Sequence, residues 1–161
     1  MNAKALREKL NAGIRAVGVF VNEAPEVVAA LLNDGIVDVA QLHGGENADY
    51  IRTLRKRTDK PLIQAFRVDG PADLERACQS AADHILLDNG PGGTGAAFDW
   101  ALLKDFDRPY FLAGGLEPGN VAQAVRAIHP FAVDVSSGIE TDGAKDYQKM
   151  AAFVNAVRNT L

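Results

Sequence analysis

An α/β fold built on one parallel sheet is predicted by the alternation of strand-like and helix-like stretches along the chain. Six short apolar stretches rich in β-forming residues recur about every 20–27 residues, each followed by a segment with helical patterning. Strict alternation of this kind requires parallel strands joined by right-handed crossover helices. No linker or shift in composition divides the 161 residues, so we predict one domain, 1–161.

The individual elements follow from local patterns. Leu6 and Leu10, four residues apart, indicate a helix before the first strand. Apolar runs predict strands at 15–21, 37–42, 62–66, 84–88, 110–113 and 131–135. Helices are predicted at 25–34, 46–56, 71–80, 118–128 and 145–158, with a short helix led by Trp100. The first strand is apolar almost without interruption, which is typical of a strand buried on both faces.

The distribution of polar residues favours a sheet closed into a barrel. Polar or glycine residues follow nearly every predicted strand, at His43, Arg67, Asp88, Gly114-Gly115 and Ser136-Ser137-Gly138. A doubly wound sheet needs its ligand at one switch point, whereas a barrel brings all strand ends round one mouth. We favour the barrel, although six strands are two fewer than the usual eight, and the doubly wound sheet is the alternative.

Composition and charge narrow the class of protein. The net charge of −4 comes from 17 basic and 21 acidic residues spread along the chain, so no basic stripe indicates nucleic acid or a membrane surface. No apolar run reaches the roughly 18 residues of a membrane span. A single cysteine, Cys78, excludes an internal disulfide and fits a reducing cytoplasm. We therefore expect a cytoplasmic protein that acts on a small molecule.

Two loops have the composition of a phosphate-binding site. Gly114-Gly115 follows the fifth strand and Ser136-Ser137-Gly138 follows the sixth. Barrel enzymes bind phosphate with backbone amides of the loops after their last two strands, and glycines and small hydroxyls suit close approach to an oxyanion. Either loop alone is also a common turn, but the two together predict phosphate binding. The glycine-rich stretch 92–95 is a third contributor or a lid.

Asp88 is the leading candidate for acid–base chemistry, because the strand 84–88 delivers its carboxylate to the strand's C-terminal end. A carboxyl group that a barrel mouth screens from water is suited to donate a proton. The alternative is a buried strand closed by a turn that the aspartate initiates.

Other candidates near strand ends have two interpretations each. Asp134, with an apolar neighbour on each side, is either a barrel-interior carboxylate bonded to a polar group or a functional residue. Gln41 ends the second strand, and His43 after it is a ligand contact or, more simply, a turn histidine. Cys78 is predicted to be a small buried hydrophobe on the helical layer. No histidine–cysteine cluster has metal-ligand spacing, and no Gly-x-Gly-x-x-Gly follows a strand to bind a dinucleotide.

Several motifs resemble those of one family, in the same order and spacing along essentially the whole chain. They are 17–22 (VGVFVN), 41–44 (QLHG), 86–88 (LLD), 92–95 (GGTG), 98–100 (FDW), 114–116 (GGL) with Pro118 and Asn120, and 131–140 (FAVDVSSGIE). The set closely resembles phosphoribosylanthranilate isomerase, and the block 131–140 is its most specific part.

The resemblance implies a TIM (β/α)8-type barrel truncated to six βα units, the family's third to eighth strands, preceded by one helix. It also implies an Amadori rearrangement in tryptophan biosynthesis, from N-(5-phosphoribosyl)anthranilate to 1-(2-carboxyphenylamino)-1-deoxyribulose 5-phosphate, without metal or cofactor. In the family, a general acid protonates the furanose oxygen to open the ring, and a general base removes the proton from C2.

The resemblance also assigns roles to residues of this chain. It makes Asp88 the general acid, at the end of the family's sixth strand. It places the substrate phosphate at Gly114, Gly115, Ser136, Ser137 and Gly138. Gln41 and Asp134 would line the barrel mouth, and His43 is a weaker substrate contact.

The beginning of the chain departs from the family pattern. Family members open with a strand ending in Cys-Gly-Ile, whose cysteine is the general base, and with a second strand followed by an arginine, but neither precedes the strand 15–21. We therefore expect the 161-residue chain alone to be inactive or barely active. We expect its open sheet edges, at 15–21 and 131–135, to self-associate or to pair with a missing N-terminal segment. The alternative function is a non-catalytic fragment that binds a sugar phosphate or complements a barrel.

Overall fold

The computed structural model describes residues 3–88, 100–103 and 105–160. Six strands form one sheet in chain order, and the pairs β1–β2, β2–β3 and β5–β6 are parallel. The strands are β1 Val17–Phe20, β2 Val39–Leu42, β3 Leu62–Arg67, β4 His84–Asp88, β5 Tyr110–Ala113 and β6 Ala132–Val133. The helices are α1 Ala3–Arg7, α2 Pro25–Asn33, α3 Ala48–Arg55, α4 Pro71–Cys78, α5 Val121–Ile128 and α6 Tyr147–Arg158. Among these residues no helix has the length and apolar character that crossing a bilayer requires.

The predicted alternation of strands and helices is confirmed, with differences at the C-terminal end. The strand predicted at 131–135 is reduced to Ala132–Val133, although Phe131 and Asp134 each donate a backbone hydrogen bond to β5, at 3.0 and 2.8 Å. The last helix begins at Tyr147 because a two-stranded hairpin, β7 Glu140–Thr141 and β8 Ala144–Lys145, precedes it. Short 3₁₀ turns occur at Trp100–Leu103 and Ser137–Ile139.

The described chain divides into two compact units. The first contains the residues up to Ala65 together with Gln79–Ile85, and the second contains Phe66–Cys78 and the residues from Leu86 onward. The single domain expected from the sequence stays a prediction.

The first unit buries the apolar faces of α2 and α3 against β2. Val28 and Leu32 lie four residues apart on α2 and are fully buried, as the spacing of an amphipathic helix requires. Ile51 and Leu54 of α3 join the same cluster. Pro25 begins α2 where a missing N–H costs nothing, and the Asn47 side chain caps α3 by accepting from the Tyr50 N–H at 3.0 Å. These contacts hold the C-terminal end of β2 in place.

The prediction that the first strand is buried on both faces is wrong. Val17 and Val19 are 44% and 61% exposed, whereas Phe20 packs against the cluster of α2 and α3. Successive side chains of a strand point to opposite faces, and the described residues of the first unit cover only the face that carries Phe20. A run of valines indicates a strand, but it does not reveal which face has a covering layer.

The second unit is built around β5, α5 and α6. Val121, Ala124 and Val125 of α5 are buried, and the Tyr110 hydroxyl of β5 donates to the carbonyl of Ile128 at 3.0 Å. Burial raises the pKa of Tyr110 to about 12. The helix α5 therefore packs closely on β5, and this packing sets the position of the loop between them.

Cys78 lies at the end of α4 and is exposed, so the prediction of a buried small hydrophobe is wrong. Its neighbour Ala77 occupies the buried position of the helix instead. The Arg108 guanidinium donates to the carbonyls of both residues, at 3.3 Å to Ala77 and 3.2 Å to Cys78. The arginine thus satisfies the last carbonyls of α4, which have no partner within the helix.

Candidate active site

Asp88 is the last residue of β4, where the sequence predicts a catalytic acid. The three preceding residues, Ile85, Leu86 and Leu87, are at most 1% exposed, whereas Asp88 itself is only partly buried. Its backbone carbonyl accepts the N–H of Val68 at 2.9 Å, which fixes the end of the strand. The sequence thus places a carboxylate at the solvent-accessible end of a rigid apolar strand. The glycine-rich stretch 92–95 and residues 98–99 lie outside the described residues.

Gly114 and Gly115 follow β5 in a conformation that requires glycine. Their φ angles are +88° and +65°, where a side chain would be strained. The Asn120 side chain closes the loop, since its amide donates to the Gly115 carbonyl and its carbonyl accepts from the Glu117 N–H, both at 2.9 Å. The backbone after β5 is therefore held in one shape just before α5.

The two loops predicted to bind phosphate are in direct contact in the second unit. A Cβ atom added to Gly138 would lie 1.9 Å from the carbonyl oxygen of Leu116, far inside any van der Waals distance. Only glycine allows the backbone of 136–138 to pack this closely on the loop that follows Gly114-Gly115. The structure thus joins two segments that lie about 20 residues apart in the sequence.

Lys145 is a residue of this region that the sequence reasoning missed. Its ammonium group donates to the carbonyl oxygen of Ser136 at 2.9 Å and to the Ser136 Oγ at 3.1 Å. It also contacts the Glu140 carboxylate at 2.6 Å. The sequence signal that was available is Asp142-Gly143, a dipeptide typical of a tight hairpin, which brings Lys145 back beside Glu140.

Asp134 follows β6 directly and is exposed. Its backbone N–H donates to the carbonyl of Leu112 at 2.8 Å, so the residue continues the pairing with β5. The chain then turns into the Ser136–Gly138 loop. A role for Asp134 at the site stays a prediction.

In the first unit, the side chains of Gln41 and His43 contact each other at the end of β2. Gln41 is buried at 7% exposure on β2, and its amide nitrogen lies 2.9 Å from Nδ1 of the exposed His43 ring. The Gln41 amide nitrogen can only donate, so a neutral His43 ring accepts this bond at Nδ1 and carries its proton on Nε2. The His43 N–H is bonded to the carbonyl of Phe20 at 2.8 Å. His43 is thus a turn residue, and the Gln41 side chain orients its ring.

Glu46, a second residue that sequence reasoning missed, organises the turn after β2. Its carboxylate is 5% exposed and accepts the N–H of Asn22 at 2.6 Å and that of Gly44 at 2.7 Å. Asn22 has a positive φ of 54°, and its side chain accepts from the Gly45 N–H at 2.8 Å. Burial, and then the Glu46 carboxylate, raise the pKa of the neighbouring Tyr50 to about 12. No local pattern marks Glu46, because its partner Asn22 lies 24 residues away.

Replacing Gly44 by Ala should destabilise the protein by about 1–3 kcal/mol, whereas Gly45→Ala should have little effect. A Cβ atom at Gly44 would lie 2.7 Å from Oδ1 and 2.8 Å from the backbone nitrogen of Asn22, but one at Gly45 would be 3.5 Å from the nearest atom. Urea unfolding of both variants measures the difference. Equal stability of the two variants would mean that the Asn22–Gly44 contact is not tight.

Comparison with known proteins identifies the family of this chain. Residues 1–156 match the family model described as N-(5'-phosphoribosyl)anthranilate (PRA) isomerase. The chain belongs to this family. An N-(5'-phosphoribosyl)anthranilate isomerase of Endomicrobium trichonymphae is 42% identical over 161 residues, which cover 98% of this chain and 79% of the relative. The family predicted from the motifs is thereby confirmed.

Solved structures of the phosphoribosylanthranilate isomerase family share the fold. The crystal structure of the Thermotoga maritima enzyme is 36% identical, with a TM-score of 0.86 over 98% of this chain and 79% of that one. A phosphoribosyl anthranilate isomerase solved in complex with reduced 1-(o-carboxyphenylamino)-1-deoxyribulose 5-phosphate is 35% identical, with a TM-score of 0.83 over 98% of this chain and 78% of that one. The TIM-barrel type predicted for the fold is therefore confirmed. The assignment of individual site residues stays a prediction.

Proposed function

We propose that this chain takes part in the isomerisation of N-(5-phosphoribosyl)anthranilate in tryptophan biosynthesis, with Asp88 as the general acid. The glycine loops, Gly114-Gly115 after β5 and Ser136-Ser137-Gly138 after β6, form the proposed phosphate site. The observation that carries the proposal is the contact between Gly138 and the Leu116 carbonyl. Because of this contact, the loop after β5 and the loop after β6 form one continuous surface. β4, β5 and β6 are neighbours in the sheet order, so the carboxylate and the loops follow adjacent strand ends.

The chemistry of the loops suits a phosphate group. Gly114 and Gly115 expose backbone without side chains, and their positive φ angles turn successive peptide groups in a way that suits anion binding. Ser136 and Ser137, both exposed, add hydroxyl donors. A phosphate dianion needs several N–H and O–H donors at once, and these residues offer them on one surface.

Asp88 suits the acid step because a partly buried carboxyl at the end of a rigid strand has a fixed position. Its role is to give a proton to the furanose oxygen of the substrate as the ring opens. The base that then removes the C2 proton is a cysteine in the family, and Cys78, at the exposed end of α4, is on the helical layer. We therefore propose that the 161-residue chain by itself has little or no turnover.

We also propose that this protein works in the cytoplasm. We further propose that it contacts another polypeptide, such as a second copy, at β1 and β6, the first and last strands of the sheet. The proposal is supported by exposed apolar side chains beside both terminal strands, among them Val19 at 61% and Phe131 at 65% exposure. Unpaired strand edges next to apolar surface favour association. The single cysteine of the sequence supports the reducing compartment.

The ligand named for the solved relative tests the phosphate site directly. Reduced 1-(o-carboxyphenylamino)-1-deoxyribulose 5-phosphate should bind the 161-residue chain in a calorimetric titration, and inorganic phosphate should compete with it. The same compound without its phosphate is the matched control and should bind far more weakly. Equal binding of the two compounds, or no binding to the folded chain, would contradict the proposal.

A further inference from the structure

The ammonium group of Lys145 lies against the loop assigned to phosphate binding. It donates to the carbonyl oxygen of Ser136 at 2.9 Å, to the Ser136 Oγ at 3.1 Å and to the Glu140 carboxylate at 2.6 Å. An ammonium group has three N–H donors, and these three acceptors match them. The contacts therefore define the position of the ammonium group as well as that of Ser136.

The hairpin after the loop places Lys145 there. Glu140 and Lys145 are opposite each other in the antiparallel pair β7–β8. Asp142 and Gly143 form the turn, with φ angles of +52° and +76°, as a two-residue type I′ turn requires. From the other side, the Asp146 carboxylate accepts from Thr141 Oγ1 at 2.8 Å and caps α6 through the N–H groups of Gln148 and Lys149. The hairpin is therefore anchored at both ends.

The bond from Lys145 restricts the direction of the Ser136 hydroxyl. A serine hydroxyl has one O–H donor and two acceptor lone pairs, and an ammonium group only donates. The contact at 3.1 Å therefore uses a lone pair of Oγ, and the O–H must point away from Lys145. A hydroxyl that accepts from a cation is also polarised toward stronger donation. The hydroxyl is thereby kept as a donor toward groups on the side of Ser136 away from Lys145.

The carboxylate of Glu140 weakens the attraction between the Lys145 charge and an anion, but it leaves the hydrogen bonds from Lys145 to Ser136 in place. It lies 2.6 Å from the Lys145 ammonium group, and the two side chains are 28% and 48% exposed. An adjacent opposite charge and solvent screening weaken the long-range pull of the lysine on an anion. The effect of Lys145 that remains is the orientation of Ser136 by the hydrogen bonds from its ammonium group.

We propose that Lys145 is a positioning residue for the phosphate group, which acts by holding the Ser136 hydroxyl as a donor. The inference rests on the phosphate site proposed above and adds a residue to it. Lys145 itself need not touch the substrate. The Ser136 hydroxyl is the group through which its effect reaches the phosphate.

A double-mutant cycle tests this inference on the 161-residue chain, with the reduced product analogue as the probe. Lys145→Met should weaken binding of the analogue about tenfold, as expected for loss of one charge-assisted hydrogen bond. Lys145→Arg should restore most of the affinity, because guanidinium donors reach the same oxygens. Ser136→Ala should also weaken binding, and the variant with both Ser136→Ala and Lys145→Met should bind no worse than Ser136→Ala alone.

The controls separate this mechanism from its alternatives. Lys56→Met removes the same charge from an exposed site in the first unit and should leave affinity unchanged. Circular dichroism confirms folding, and Lys145→Gln replaces Lys145→Met if the latter does not fold. Two results would overturn the positioning role but not the phosphate site. One is unchanged affinity of the Lys145→Met variant for the analogue. The other is a loss of affinity in the double variant equal to the product of the two single losses. Failure of the unmodified chain to bind the analogue would overturn both.

Discussion

Replacement of Asp88 by Asn should lower isomerase turnover by about 10²–10⁴-fold, because the amide has the same shape but no acidic proton to give. Because we propose that the 161-residue chain by itself has little turnover, the measurement uses a chimaera with the first strands of the Thermotoga maritima relative fused before Met1. Product formation is then followed with and without the substitution. Binding of the reduced product analogue should change little, since Asp88 follows β4 and the phosphate loops follow β5 and β6.

Asp105→Asn is the matched control for this experiment. It removes the same charge from an exposed residue of the second unit and should leave turnover unchanged. Turnover by the Asp88→Asn chimaera equal to that of its parent would remove Asp88 from the acid role. Loss of analogue binding together with turnover would mean that the carboxylate holds the ligand rather than protonates it.

Replacement of Gly138 by Ala should abolish detectable binding of the product analogue and cost about 1–3 kcal/mol of folding free energy. The added Cβ would lie 1.9 Å from the Leu116 carbonyl oxygen and 2.9 Å from its carbon, and both are backbone atoms that cannot rotate away. The loops after β5 and β6 must therefore separate. The donors of the proposed phosphate site would then no longer lie on one surface.

Gly119→Ala is the control for this substitution, because its Cβ would lie 3.4 Å from the Glu117 carboxylate, which is the end of a flexible side chain. Calorimetric titration and urea unfolding of both variants measure binding and stability. A Gly138→Ala chain that binds the analogue as tightly as the unmodified chain would show that contact between the loops is not what forms the site.

The elements were predictable from the sequence to within a few residues. Apolar runs such as 84–88 and helical patterns begun by Pro25 are local signals, and local backbone preferences largely determine where these elements lie. The hairpin β7–β8 was missed, although Asp142-Gly143 is a local turn signal, and its last residue, Lys145, was predicted to begin the last helix. Its short strands of two residues each carry too little pattern to compete with that helix.

The candidate site was predictable only in part. Gly114-Gly115 and Ser136-Ser137-Gly138 stand out because glycines and small hydroxyls after strands have few other uses together. Lys145 and Glu46 do not stand out, because a lysine or a glutamate in a polar segment is most often a solvated surface residue. Their roles depend on partners that the fold supplies, Ser136 for one and Asn22 for the other.

By itself, the sequence determined the alternation of strands and helices, the family and the positions of Asp88 and the glycine loops. These follow from local backbone preference and from short motifs, both of which are properties of consecutive residues. The tertiary structure alone decided the contact of Gly138 with Leu116, the bonds of Lys145 to Ser136 and the exposure of Val17, Val19 and Cys78. Packing distance and burial depend on residues far apart in the chain, so no stretch of sequence contains them.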